Sequence, residues 1–312
     1  MGVPPFAPGS VSLRLYPHNE LSAPAVVDEM RAQARLAEAA GFAGIMVSEH
    51  HGGFAGYLPN PLQMAGFLLA VTEMVWVAPC PLLLPLRPTA LVAEEVAWLA
   101  AAYPGRVGAG VAAGALPLDF AVMGLDVATA GPRFKAELGR LVDLLAGRGL
   151  GDLGGDPALA RCAEAPLPVL SAAASPSAAR RAASVGAGIL LDSMGTLERQ
   201  RAIGDAYREA GGSGSCVAIR RVWLGEPPEA ALAAQRALYE GYSPDAAQRH
   251  WAGTNTIVDA DAGVLATRVR ESLDAVGADA VNLRVHVHGI PAAAIRDQIE
   301  RLGAEVVPRL RG

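Results

Sequence analysis

Short apolar runs that read as strands alternate with amphipathic helical stretches eight times along this chain, and that alternation limits the possible folds more than any other feature. Val11 to Tyr16 reads as the first strand, and Pro24 to Ala40 as a helix stopped by Gly41. A second strand over Ile45 to Val47 leads to a helix from Pro61 to Thr72, with Asn60 as N-cap and Pro61 at the first position. Trp76 to Leu86, Arg106 to Val111, Leu167 to Ala173 and Gly188 to Asp192 read as strands three to six. Cys216 to Leu224 and Ala280 to His288 complete the set, and Ala292 to Leu310 is the closing helix. The other helices are expected at Ala90 to Tyr103, Pro132 to Ala146, Pro176 to Val185, Thr196 to Ala210, Pro228 to Glu240 and Gly263 to Val276. Gly241 to Asp259, with His250-Trp251 and Gly253-Thr254-Asn255, fits neither pattern; a lid or an ordered helix extension suits its length and composition. No break in composition interrupts the series, so one (β/α)8 TIM barrel with loop insertions is expected over residues 1–312. A doubly wound sheet is the rival.

Composition narrows the function classes. Apolar residues make up 52% of the 312, enough for a large core, and the net charge of -5 leaves no basic footprint for nucleic acid. Cys80, Cys162 and Cys216 are far apart and odd in number, with neither metal-ligand spacing nor a disulfide framework. The N-terminal residues lack the basic-then-apolar order of a secretory signal. Met64 to Leu86 is the most apolar region, but Thr72, Glu73 and prolines cut it, so it makes a poor membrane span. A soluble cytoplasmic protein is expected, with no metal site.

The second strand ends in Val47-Ser48-Glu49-His50-His51. Alternation sets Ile45 and Val47 on one face and Met46, Ser48 and His50 on the other. If the second face lines a barrel, His50 stands at the mouth, where such folds bind ligands. On the last strand, Val281, Leu283, Val285 and Val287 form an apolar face, which turns Asn282, Arg284, His286 and His288 inward, with His288 nearest the mouth and a candidate for ligand contact. The same rule turns Arg14 and Arg220 inward. Buried arginines need anions, and Asp192 or a bound ligand is a candidate; a purely structural polar layer is the plainer reading for Arg14 and Arg284. Ser175-Pro176-Ser177-Ala178 opens a helix whose free amides and two hydroxyls suit a phosphate, although an ordinary N-cap would read the same way.

The ordered set Ser48-Glu49-His50-His51, Asn60-Pro61, Thr72-Glu73, Leu84-Pro85, Ala93-Glu94, Gly105-Arg106, Asp119-Phe120 and Gly124 resembles the bacterial luciferase-like flavin monooxygenases. Ala174-Ser175-Pro176-Ser177, Arg181-Ala182-Ala183 and Gly186 continue the match more loosely. That resemblance implies a barrel binding reduced flavin mononucleotide (FMN), or its deazaflavin relative F420, at the C-terminal ends of the strands. It further implies dioxygen, a small organic substrate, a separate flavin reductase and a homodimer through the second and third helices. F420-dependent hydride transfer is the enzyme alternative, and a flavin-binding barrel without turnover is the other. The organic chemistry in each case belongs to the cofactor.

The resemblance also assigns roles. His50 matches the mouth histidine that passes a proton to flavin or substrate, against the plainer role of a hydrogen-bonded strand end. Glu49 and His51, on the other face, are expected to fix the strand end or meet a second subunit. Cys80-Pro81 stands where the family carries a cis peptide beneath the flavin ring, and an X–Pro bond takes that form at much lower cost than other peptides. An ordinary trans proline at a bulge is the competing reading, and Cys80 is read as packing rather than as nucleophile. Arg133 is the implied cationic partner of the phosphate at Ser175, Ser177 and Ala178. Ser193 and Met194, after strand six, are expected beside the cofactor. Where the family has a phosphate-contacting arginine on strand four, this chain reads Ala112-Ala113-Gly114, so one charge-assisted contact is missing.

Overall fold

The computed structural model describes residues 2–243, 248, 251 and 256–311. Among these, ten strands form one parallel sheet: β1 (Val11–Arg14), β2 (Gly44–Val47), β3 (Trp76–Pro79), β4 (Leu82–Leu83), β5 (Ala109–Ala112), β6 (Val169–Ala172), β7 (Gly188–Leu191), β8 (Cys216–Leu224), β9 (Thr256–Asp259) and β10 (Ala280–Arg284). Nine follow the order β3-β2-β1-β10-β8-β7-β6-β5-β4, and β9 pairs with the outer half of β8. β3 and β4 are two pieces of one stave, parted at Cys80–Pro81. A bridge from Val77 to Val107 joins that stave to the run-in of β5, so the sheet nearly closes on itself. This is the expected TIM barrel; closure excludes the doubly wound alternative.

The helices begin where local chemistry permits. Asn60 accepts a hydrogen bond from the Gln63 amide at 3.1 Å and Pro61 occupies the first turn of α2 (Pro61–Leu69). Its neighbours are α1 (Ala23–Ala39) and α3 (Thr89–Ala102). The expected closing helix is broken by a π turn at Leu302–Val306 between Ala292–Arg301 and Val307–Arg311.

Strand parity divides the core in two. Leu13, Ile45, Val47, Val281 and Leu283 face outward and pack with helix residues such as Met30, Leu68 and Ile299. Met46, Trp76, Ala78, Cys80, Leu170, Leu190 and Val217 fill the lumen. Phe6, from the N-terminal segment, belongs to the inner cluster and meets Trp76 edge-on at 5.1 Å. Gly44 is required opposite that indole, because a Cβ there would lie 2.0 Å from Trp76 Cδ2. Above this layer Arg14 spends its guanidinium on Asn282 Oδ1 (2.7 Å), the Cys80 carbonyl (2.8 Å) and Met46 Sδ (3.5 Å). The barrel is therefore filled at its base and floored by a polar layer, and the space above that layer is the site.

Two boundaries differ from expectation. β10 stops at Arg284 rather than His288, and β9 lies in the stretch the sequence pattern left open. Within the expected lid, Gly253-Thr254-Asn255 and His250 lie outside the described residues.

Trp76 is fully buried, and its indole N–H has no partner among the described residues. Trp76→Ala should cost about 3–5 kcal/mol in urea unfolding. Trp76→Phe should cost clearly less, because it also removes an unpaired buried donor. Equal losses for the two would contradict this packing.

Candidate active site at the barrel mouth

β2 delivers Ser48 and His50 to a cavity of about 440 Å³ at the C-terminal ends of the strands. After His51 the chain reverses through Gly52 (φ 68°) and Gly53 (φ 74°), a left-handed pair that other residues adopt only with strain. The reversal brings Phe54 and Tyr57 back onto the His50 ring, at 5.1 and 4.4 Å between centroids, and the Leu58 carbonyl accepts the His50 amide at 3.0 Å.

His50 Nδ1 is 2.8 Å from Asp119 Oδ2, and the second oxygen of that carboxylate accepts the His51 amide at 2.7 Å. Asp119 lies on a short helix, Pro117–Ala121, and is 1% exposed. A buried carboxylate at Nδ1 fixes the tautomer with the proton on Nδ1 and leaves Nε2 as the basic nitrogen. Nε2 makes no hydrogen bond to any described residue. This is the geometry of a positioned proton acceptor and donor. Asp119 entered the sequence reading only as part of a motif. Its pairing with His50, 69 positions away, has no periodic signature.

Glu49 turns the other way, as expected. Its carboxylate accepts from His51 Nε2 at 2.8 Å, from the Leu83 amide at 2.6 Å and from Arg87. These bonds lock the end of β2 to β4.

Cys80–Pro81 is cis. Pro81 lines the cavity, whereas the Cys80 side chain packs in the lumen below it, and burial pushes its thiol up to about 11. The wall beside Pro81 is built of small residues: Ala112, Ala113, Ala172, Ala173 and Ala174. Ser48 Oγ, buried in this lining, has no partner among the described residues. A low wall of methyl groups, a proline face and an unpaired hydroxyl fit a planar heteroaromatic ring, so the residues present suit a flavin or deazaflavin.

Ser193 and Met194, expected beside the cofactor, line the cavity. Ser175 is the N-cap of the helix Pro176–Ser184; its Oγ accepts from the Ala178 amide at 3.3 Å and lies 3.1 Å from Ser177 Oγ. These three residues stand beyond the cavity lining, next to Ala174, which belongs to it. Arg133 also lies outside the lining, in the first turn of the helix Ala130–Leu144.

Two inward readings require correction. Arg220 leaves the lumen and lies among the outer helices, bonded to Ser272 Oγ (2.8 Å), Gln200 Oε1 (2.9 Å) and the Ser272 carbonyl (3.0 Å). Val217 and Ile219 fix the inward phase of β8, and that phase carries Arg221, not Arg220, to the cavity. His288 does not line the cavity either. The ladder ends at Arg284, and beyond it alternation no longer sets direction. Arg284 does line the cavity, lying 4.3 Å over the Tyr16 ring and donating to Tyr239 Oη. Arg221 lies 5.4 Å from the Tyr239 ring centroid and donates to Ser193 Oγ at 3.2 Å. Tyr57 and Tyr239 hydroxyls are 3.4 Å apart. Arg221, Tyr57 and Tyr239 were not singled out from sequence; the apolar residues Val217 and Ile219 were the available signal for the first.

The family model for luciferase-like monooxygenases matches residues 10–306, and the chain belongs to that family. A curated relative, the uncharacterized protein y4wF of Sinorhizobium fredii, is 27% identical over 230 residues, which span 70% of this chain and 66% of that one. In fold the chain is similar to the oxygenating constituent of 3,6-diketocamphane monooxygenase from Pseudomonas putida, solved with FMN. The TM-score is 0.74 at 17% identity, over 96% of this chain and 98% of that one. It is also similar to an F420-dependent secondary alcohol dehydrogenase solved with an F420–acetone adduct, with TM-score 0.71 at 18% identity over 97% and 99% of the two chains. No described helix is long and apolar enough to cross a membrane.

His286, buried beside Tyr16 (5.2 Å) and His18 (5.0 Å), is held well below its ordinary value by burial, then by Arg284, His18 and His288. The unfolded chain therefore takes up a proton near pH 6.5 that the folded chain refuses. Stability should fall as pH drops below about 6.5, by up to about 1.4 kcal/mol per pH unit from this group. His286→Phe should flatten that slope in urea midpoints measured from pH 7.5 to 5; an unchanged slope would contradict the assignment.

Proposed function

We propose that this chain is a monooxygenase that takes reduced FMN from a separate reductase and uses it with dioxygen on a small organic substrate. The observation that carries this reading is the His50–Asp119 pair set at the mouth of a cavity lined beside it by Pro81 and, from β5 and β6, by a run of alanines. Reduced flavin, when bound, supplies the electrons that activate dioxygen. The chain's own part is to seat a planar ring against Pro81 and the alanine wall, with Ser48 Oγ as a hydrogen-bonding partner. Ser175, Ser177 and the Ala178 amide, at the edge of that wall, would take a terminal phosphate. His50 Nε2 holds or releases one proton over the cavity while Asp119 keeps the ring in place. Phe54, Tyr57, Tyr239 and Trp251 enclose the space and keep water from it.

Hydride transfer with F420 is favoured by one feature, the absence of the phosphate-contacting arginine at Ala112-Ala113. Anaerobic titration of the purified chain with reduced FMN and with reduced F420 separates the readings. Reduced FMN is expected to bind at least about tenfold more tightly; preference for F420 would overturn the monooxygenase reading. His50→Ala should leave FMN affinity within a factor of about three and slow substrate oxidation by about 10²–10⁴. Oxidation of flavin without product in the unaltered protein would instead indicate a binder without turnover.

A homodimer through α2 and α3 is part of the same reading. The groove between them, lined by Leu62, Gly66, Glu95 and Leu99, has a volume of about 410 Å³, and Leu91 and Trp98 are exposed on α3. Sedimentation velocity should give twice the mass of one chain, and Leu91→Glu with Trp98→Glu should give a folded monomer. A monomeric unaltered protein at micromolar concentration would remove this proposal.

A further inference from the structure

One side of the cavity carries charge that its neighbours leave uncompensated. Arg14, Arg221 and Arg284 all line it, and none forms a salt bridge with a carboxylate among the described residues. The two carboxylates of the lining are committed elsewhere. Glu49 is bonded to His51, Leu83 and Arg87, and Asp192 Oδ1 accepts the amides of Met194 (2.6 Å) and Gly195 (2.7 Å).

The three guanidinia are not equivalent. Arg14 is spent on neutral acceptors of the floor, through Nε, Nη1 and Nη2 alike. That is the structural polar layer. Arg284 gives Nη2 to Tyr239 and Nε to the His286 carbonyl at 3.4 Å, while its Nη1 has no acceptor among the described residues. Arg221 gives only Nε, to Ser193, so both terminal nitrogens are without a described acceptor. Arg284 disfavours the charge on Arg221 after burial has already done so. Two like charges held side by side over a cavity, with donors still to satisfy, call for an oxyanion.

Resting on the flavin reading above, we infer that Arg221 and Arg284 seat the carboxylate or sulfonate of the substrate, so that the enzyme acts on a compact organic acid. Arg221 comes from β8 and Arg284 from β10, whereas the Ser175–Ala178 turn follows β6, two staves away from β8 in the sheet order. Phosphate and substrate anion therefore have separate seats. The distance from acid group to reacting carbon is set by Tyr57 and Tyr239. The first touches the His50 ring and the second touches both arginines. Tyr16, Phe54 and Trp251 give the rest of the box aromatic or apolar walls. An acid with a ring or short chain as its body suits that box.

The test uses the full chain without flavin and three probes of one shape: benzoate, benzenesulfonate and neutral benzamide, followed by calorimetry. At least one of the two anions should bind at least about tenfold more tightly than benzamide, and the preference should shrink in high salt. Arg221→Gln, which gives up the Ser193 hydrogen bond and the contact with the Tyr239 ring, should abolish that preference while circular dichroism keeps the folded signature. Arg284→Gln should also abolish the preference, at some cost in stability because it leaves Tyr239 without its guanidinium partner, and Arg221→Lys should restore part of it. Equal binding of anions and benzamide would overturn the inference. So would an Arg221→Gln variant that keeps the preference. In a second arm, Arg221→Gln is titrated with reduced FMN and reduced riboflavin. Loss of FMN affinity with riboflavin binding intact would mean that the arginines hold the cofactor phosphate, and would also overturn it. Failure of any flavin to bind, with the anion preference intact, would sink the functional reading and leave the acid seat standing.

Discussion

The cavity exists because Arg14 is where it is. A parallel barrel must fill its own lumen, and lumen layers are ordinarily apolar. Here the layer above Met46, Trp76 and Cys80 is a guanidinium that ties β1 to Asn282 on β10 and to the carbonyl at the β3–β4 break. Its planar fork satisfies three elements at once, a geometry an ammonium cannot reproduce. The charge sits close under open space rather than under more side chains.

Above that floor the mouth is electrically divided. On the β2 side a buried carboxylate holds a histidine; on the β8–β10 side two arginines meet phenols and neutral acceptors and no carboxylate among the described residues. Tyr239 lies between them and, despite burial, is drawn below the usual phenol range by Arg284 and Arg221. Arg284 in turn is driven upward by Tyr16, Tyr239 and Tyr57 against the effect of burial. The aromatic rings thus separate a proton-handling edge from a cationic one, and the low dielectric of the buried rings strengthens the pull of the arginines on Tyr239.

Much of this arrangement was legible in order along the chain. The alternation in Ile45 to His50 placed Ser48 and His50 in the lumen and set Glu49 apart, because one apolar face of a half-polar strand fixes the phase. The cis form of Cys80–Pro81 followed from the family resemblance rather than from periodicity, which ran Trp76 to Leu86 as one strand, and Ser193-Met194 was legible as a loop after the sixth strand. β8 misled at Arg220 because both its faces are buried, so neither the apolar residues nor the paired arginines declare which side is in. His288 was over-extended for a related reason: alternation predicts direction only while the ladder continues, and nothing local to Val285 announces that β10 has ended.

The sequence by itself determined the barrel, its stave order and the inward face of the second strand, since these follow from periodicity and from short-range capping and turn chemistry. Tertiary structure alone decided which charges meet. Asp119 reaches His50, Glu49 reaches Arg87, and Arg221 joins Arg284 only after the sheet has closed, because electrostatic partners across a barrel are chosen by distance in space and leave no period in the chain.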